Sequence, residues 1–232
     1  MLRSRGCGRM SAGVRPGTVA TAVARVVYTD LLTVVVTSLL FVVASLPVVS
    51  LGAALLALVE TWTVVITQRD SGAPPSERGR ARLFVAAFRR HLVAGLPYSL
   101  LLSAVAGLTA LYYAVGIARG SSVFLLATLA GLYAVVIVTV WSLRAASFRV
   151  RADPPLGVRR AIGRAGRTFV DHLSFSVLVA AGVGAVLLAA TAARIVIALV
   201  LPGALAIIEI VAFEEIAGDG AAAVRSTYRR DR

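Results

Sequence analysis

The chain has 232 residues, 59% of them hydrophobic, and a formal net charge of +13; its mean hydropathy is +0.87. A soluble domain carries about 45 to 50% apolar residues, so this composition excludes an ordinary water-soluble fold. The charge comes from 24 arginines and no lysine against 11 acids. These arginines cluster in short segments between apolar runs, which points to a membrane surface, and no nucleic-acid-reading module accompanies them.

Residues 1–25 read as a disordered basic tail and a lead-in to a helix. Arg3, Arg5, Arg9, Arg15 and Pro16 interrupt any apolar core of a cleavable signal peptide, so the first span is expected to target the chain. Met10 is an alternative start to Met1. Cys7 is the single cysteine, which excludes an internal disulfide and a multi-cysteine metal site.

From Leu31 to Thr67 the chain has one charge, Glu60, and one proline, Pro47. A bilayer core about 30 Å thick is crossed by about 20 apolar residues, so this run is too long for one span and fits two. The spacing predicts span one at 26–46 and span two at 51–67. The break falls at Ser45-Leu46-Pro47-Val48-Val49-Ser50-Leu51-Gly52, because Pro47 lacks an amide donor and Gly52 is permissive where the chain restarts. Asp30 is expected to pair locally with Arg25.

Pro74 and Pro75 mark a loop, after which residues 81–95 read as a basic interfacial helix carrying Arg89 and Arg90. Span three is predicted at 96–117 and span four at 121–143, with a tight turn at Arg119-Gly120. A second basic loop repeats the design. Pro154-Pro155 is followed by a helical pattern in which Val158, Ile162, Ala165 and Phe169 oppose Arg159, Arg160, Arg164 and Arg167. Span five is placed at 173–190 and span six at 195–213. The charged tail, 214–232, lies outside the bilayer. Arginines load alternate connectors, which puts both termini in the cytoplasm.

Ser45, Leu46, Pro47, Ser50, Gly52 and Ala53, with the basic segment at Phe84, Phe88, Arg89 and Arg90, resemble the signature of the YesL-like family of bacterial and archaeal membrane proteins, defined by a domain of unknown function. The likeness covers about residues 38–111; Ser38, His91 and Leu92 depart from the usual pattern. The resemblance implies an accessory or regulatory role beside carbohydrate uptake, with a sugar ABC-transporter permease as partner. It supplies no catalytic residues.

An ionisable group inside the bilayer costs about 2.5 to 3.5 kcal/mol on insertion scales, so Glu60 and Glu209 each require an explanation. Counting from the span ends places them about 14 Å and about 21 Å below the outer surface. One reading has both lining a polar path for a cation, proton or sugar, with Thr63, Thr67 and Tyr112 or Tyr113 nearby, as an autonomous transporter. The other has Glu60 bonded to a neighbouring helix and Glu209 meeting cytoplasmic arginines with Glu214 and Glu215.

Pro202-Gly203 is a candidate helix break in mid-span, either coordinating a solute or kinking the packing. Ala181, Ala185, Ala189 and Ala193 form a small-residue ridge expected to pack internally, with dimer formation as the alternative. His91 and His172 both sit just before spans and next to basic helices, read as interfacial hydrogen-bonding residues with a metal pair as the alternative. No phosphate loop, zinc helix or nucleophile elbow is written in the chain, so no enzyme, metal or cofactor is expected. The sequence thus predicts an all-α polytopic bundle of about six spans in three hairpins, over residues 26–213, in the cell membrane.

Overall fold

The computed structural model describes residues 16–70, 76–152, 154–171, 173–192, 199–217 and 220–228. Among these the architecture is entirely helical: α1 (Pro16–Thr29), α2 (Leu31–Ser45), a 3-10 turn (Val48–Ser50), α3 (Leu51–Asp70), α4 (Glu77–Arg119), α5 (Ser122–Arg151), α6 (Val158–Asp171), α7 (Leu173–Ala192), α8 (Leu201–Ala217) and α9 (Ala221–Thr227). Three of these stretches are long and apolar enough to cross a membrane: Val48–Thr67, α4 and α5. The pairs α1–α2 and α6–α7, bent by 86° and 104°, raise the number to five if each is one span.

The interfacial helix and span three expected at 81–95 and 96–117 are one helix, α4, of 43 residues and about 65 Å. Ser76 caps its start by accepting the Gly79 amide at 3.3 Å, and Glu77 in the first turn suits the positive end of the helix dipole. Pro97 lies inside it; only one amide donor is lost, which a packed apolar helix tolerates. The helix stops at Gly120, whose φ of 58° is the left-handed conformation that glycine adopts without strain, and Ser121 reaches back to the Gly116 carbonyl at 3.1 Å. The tight turn read at Arg119-Gly120 is this C-cap.

The first predicted span is sharply broken. α1 and α2 meet at Asp30, so residues 26–46 do not form one straight rod. Pro202-Gly203 occupies the first turn of α8 rather than the middle of a helix. Proline in a first turn forfeits no ladder bond, and the Gly203 amide is answered by Ser38 Oγ at 2.9 Å. On α7 the buried side is Phe175, Val179 and Val183, spaced by four, while Ala181 and Ala185 face outward. The internal packing expected of that ridge is therefore absent where it is described; the Ala189 side chain and residue 193 lie outside the described set, as do Cys7, Met10, His172 and the start of span six at 195.

α3 is the centre of the bundle, with Ala53 to Val59, Trp62 and Val65 buried, and α2, α4, α5 and α8 packed around it. Its contact with α4 fixes the register of the fold. A Cβ on Gly52 would lie 2.1 Å from the Gly95 carbonyl oxygen, and one on Gly95 would lie 2.2 Å from the Ala53 nitrogen, so the backbones touch. Ser99 locks the crossing: its hydroxyl donates to Val49 O at 2.6 Å and accepts the Gly52 amide at 2.7 Å. The turn around Pro47 is thus level with Ser99, whereas the α4–α5 turn at Gly120 lies about 30 Å further along α4. The outer half of the α4–α5 hairpin stands clear of the bundle. Only 11% of the apolar window in each of these helices is buried, against 67% in α3.

Gly52→Ala and Gly95→Ala are each expected to destabilise the protein by about 3 kcal/mol or more, because backbone must move to admit the methyl group. Gly107→Ala, where a Cβ meets nothing within 4 Å, should stay within about 0.5 kcal/mol. Denaturant titration of the three variants in detergent checks both statements.

Candidate functional site

The two intramembrane candidates have separate partners. Glu60 on α3 faces α4, where Arg90 Nη1 lies 3.0 Å from Oε1 and His91 Nε2 lies 2.6 Å from Oε2. Arg90 remains largely exposed and His91 is buried, so Glu60 is held between a surface cation and an interior imidazole. Nine residues of α4 separate Arg90 from Ser99, which puts this cluster about 14 Å from the level of the Pro47 turn.

Glu209 on α8 faces α5. Arg144 donates through Nε to Oε1 at 2.5 Å and through Nη2 to Oε2 at 3.3 Å, and both side chains are essentially inaccessible. The planar guanidinium matches the carboxylate two bonds at a time, which a lysine could not do. The seam continues with Phe148 edge-on to Phe213 at 4.9 Å, then Arg151 ion-paired to Glu214 and stacked 4.7 Å above the Phe213 ring. The partners recur at about helical spacing, so α5 and α8 run in parallel register here. The Arg144 Nη1 atom and the Ser142 and Ser147 hydroxyls are buried without a partner among the described residues.

A third cluster joins three distant segments at the α1–α2 bend. The Asp30 carboxylate receives Arg80 of α4 at 3.4 Å and the Tyr228 hydroxyl beyond α9 at 2.9 Å. Thr33 donates to Glu77 at 2.9 Å, and Arg80 reaches both Thr33 and Glu77. Sequence reading assigned Asp30 a local role with Arg25 and did not single out Arg80 or Tyr228. Contacts across 50 and 198 residues leave no periodic trace.

The motif residues at the hairpin turn satisfy backbone. Ser45 donates to Val42 O at 3.0 Å, and Ser50 donates to Ala44 O at 2.6 Å and Pro47 O at 2.7 Å. Leu46 is exposed, while Gly52 and Ala53 form the crossing with Gly95. Ser99 was missed, although Gly95 and Ser99, four apart, are a small-residue pair of the kind that admits a close helix.

Among the basic residues, Arg89, Arg159, Arg160, Arg164 and Arg167 are exposed. α6 turns Ala161 and Ala165 inward, takes the Trp141 indole N–H on Ile162 O at 3.1 Å, and lays Arg164 5.8 Å from the Phe148 ring. Thr63 and Thr67 donate to carbonyls of their own helix, and Tyr112 packs on Phe124. Among the described residues no three His, Cys, Asp or Glu side chains gather as metal ligands.

No family model matches the chain, and no curated protein or solved structure does so either.

Removing one partner of the buried pair should be worse than removing both. Arg144→Met is expected to destabilise by about 3 to 5 kcal/mol, since it strands Glu209 in the interior, while Arg144→Met combined with Glu209→Leu should recover most of that loss. Unfolding midpoints in detergent give the comparison.

Proposed function

We propose that this chain is a multi-pass membrane protein with both termini in the cytoplasm, acting as a non-catalytic accessory component beside a transport system. The YesL-like motif at residues 45–53 supports a carbohydrate permease as its partner. The observation that carries the accessory reading is the closure of each acidic side chain: Glu60 by Arg90 and His91, Glu209 by Arg144. A carrier working through both acids needs them open to a common path, and these pairs occupy both carboxylates.

Placement in the bilayer follows from α4 and α5. Arg89 and Arg119 are thirty residues apart, about 45 Å, which is the thickness of a bilayer with its head groups. Between Arg90 and Arg119 the only ionisable side chains are His91, which is bonded to Glu60, and tyrosines; from Ser121 to Leu143 no acid, arginine or histidine occurs. The α4–α5 hairpin therefore crosses completely. The α2–α3 hairpin enters from the cytoplasmic side, turns at Pro47 about 15 Å beyond Arg89, and returns. Its turn is admissible at that depth because Ser45, Ser50 and Ser99 answer the freed backbone groups. An entering hairpin and a pair of full spans return the chain to the same side, so the arginine-rich connectors stay cytoplasmic in both.

The second reading, an autonomous transporter of six level spans, is separated from the first by two measurements. In proteoliposomes the protein alone should move no solute, and Glu60→Gln should change nothing but stability; in membranes it should co-purify with a permease. Solute movement that Glu60→Gln abolishes would favour the carrier. In a Cys7→Ser background, an impermeant thiol reagent added outside should label Ser121→Cys and spare Val48→Cys. Equal labelling would restore the level hairpins.

A further inference from the structure

The exposed side of the hairpin turn carries a groove of about 630 Å³ between the α2 end and α4, lined by Val43, Pro47, Phe88, Leu92, Val93 and Leu96 among others. Its volume lies in the range of about 300 to 1,000 Å³ common to small-molecule sites. Its wall is apolar for a structural reason. Ser50, the one hydroxyl residue in it, spends its proton on the Ala44 and Pro47 carbonyls and offers no donor to a guest.

The end of the groove nearest the start of α4 is different. Residues seven apart on a helix share a face, so Arg82, Arg89 and Leu96 lie on one stripe of α4. Leu92 and Val93 fill the interval between Arg89 and Leu96 on that stripe. Arg82 and Arg89 are exposed, and neither makes an ion pair with a described acid; the neighbouring Arg90 is engaged by Glu60. From Arg89 to Leu96 the helix rises about 10 Å. A cation thus stands at one end of an apolar trough running along the helix axis. Val93 is 80% exposed, so the trough is open to what lies beside the helix.

We propose that this groove is a binding site for one anionic phospholipid of the cytoplasmic leaflet, with an acyl chain along Val43, Pro47, Leu92 and Leu96 and its phosphate on Arg89. The inference rests on the membrane placement above, which sets Arg89 at head-group depth and Leu96 among the chains. Charge and apolarity are each in the order a leaflet lipid presents them. A free phosphate ion would use the arginine and leave the trough empty; an apolar helix from another protein would fill the trough and leave the arginine unanswered.

Native mass spectrometry of the full chain in detergent, titrated with dioleoylphosphatidylglycerol or dioleoylphosphatidylcholine, tests this. The anionic lipid should bind about 5-fold more tightly, a gain of the size one surface arginine contributes. Arg89→Gln should erase that preference, weakening the anionic lipid more than phosphatidylcholine. Val93→Trp, which fills the trough from an exposed position, should weaken both lipids at least ten-fold with their ratio kept. Dihexanoylphosphatidylglycerol, with the same head group, should bind at least ten-fold more weakly to the unaltered protein, since each buried methylene adds to affinity. Equal affinity for the two dioleoyl lipids, a preference that survives Arg89→Gln, short chains binding as well as long ones, or displacement by millimolar inorganic phosphate would each overturn the proposal. So would a dimer that Val93→Trp converts to monomer. Alkaline carbonate extraction separates the two levels. A chain that washes out of the membrane defeats the placement itself, whereas a chain that stays but retains no lipid defeats only the groove.

Discussion

The backbone contact between Gly52 and Gly95 is the constraint on which the rest of the structure depends. Two helices approach without side chains between them, and the Ser99 hydroxyl is hydrogen-bonded to the strand of chain entering α3 on both its donor and acceptor sides. In a lipid setting, where burying apolar surface between helices gains little over burying it in lipid, close packing and interhelical hydrogen bonds are what hold a register. Here they set the Pro47 turn beside Ser99. Glu60 comes to Arg90 and His91, and the outer α4–α5 hairpin is left free of neighbours.

Among the described residues the buried acids obey one rule. A carboxylate that enters the bundle meets an arginine from another helix: Glu60 from α4, Glu209 from α5, Asp30 from the start of α4. Such pairs contribute less to net stability than their geometry implies, because two ions have been taken from water, but they penalise every misaligned arrangement. The Arg144–Glu209 pair and the Phe148–Phe213 contact one turn later fix α8 against α5. The Asp30 cluster does the same for the chain's two ends, since Tyr228 ties the last described helix to the first bend.

Several elements are legible in the sequence. The charge-free run from Ser121 to Leu143, the glycine stop at Gly120 and the basic face of α6 are local patterns, and each occurs where its residues place it. The bend at Asp30 was not legible, because the groups that hold the Asp30 carboxylate, Arg80 and Tyr228, lie 50 and 198 residues away. The partners of Glu60 were not legible either, because Arg90 and His91 reach it across the α3–α4 crossing from 30 and 31 residues away. Pro202-Gly203 read as a break because the pattern around it is apolar on both sides; α8 begins one residue earlier.

By itself, the sequence determined that this protein is helical, apolar and basic at its connectors, for those properties follow from composition and from repeats within a few turns. Only the tertiary structure decided where along α4 the Pro47 turn lies, which arginine answers which acid, and where an apolar trough opens near Arg89. The physical reason is range: helix formation is settled by residues three and four apart, whereas register is settled by a backbone crossing between residues 43 positions apart, and no spacing rule in either segment names the other.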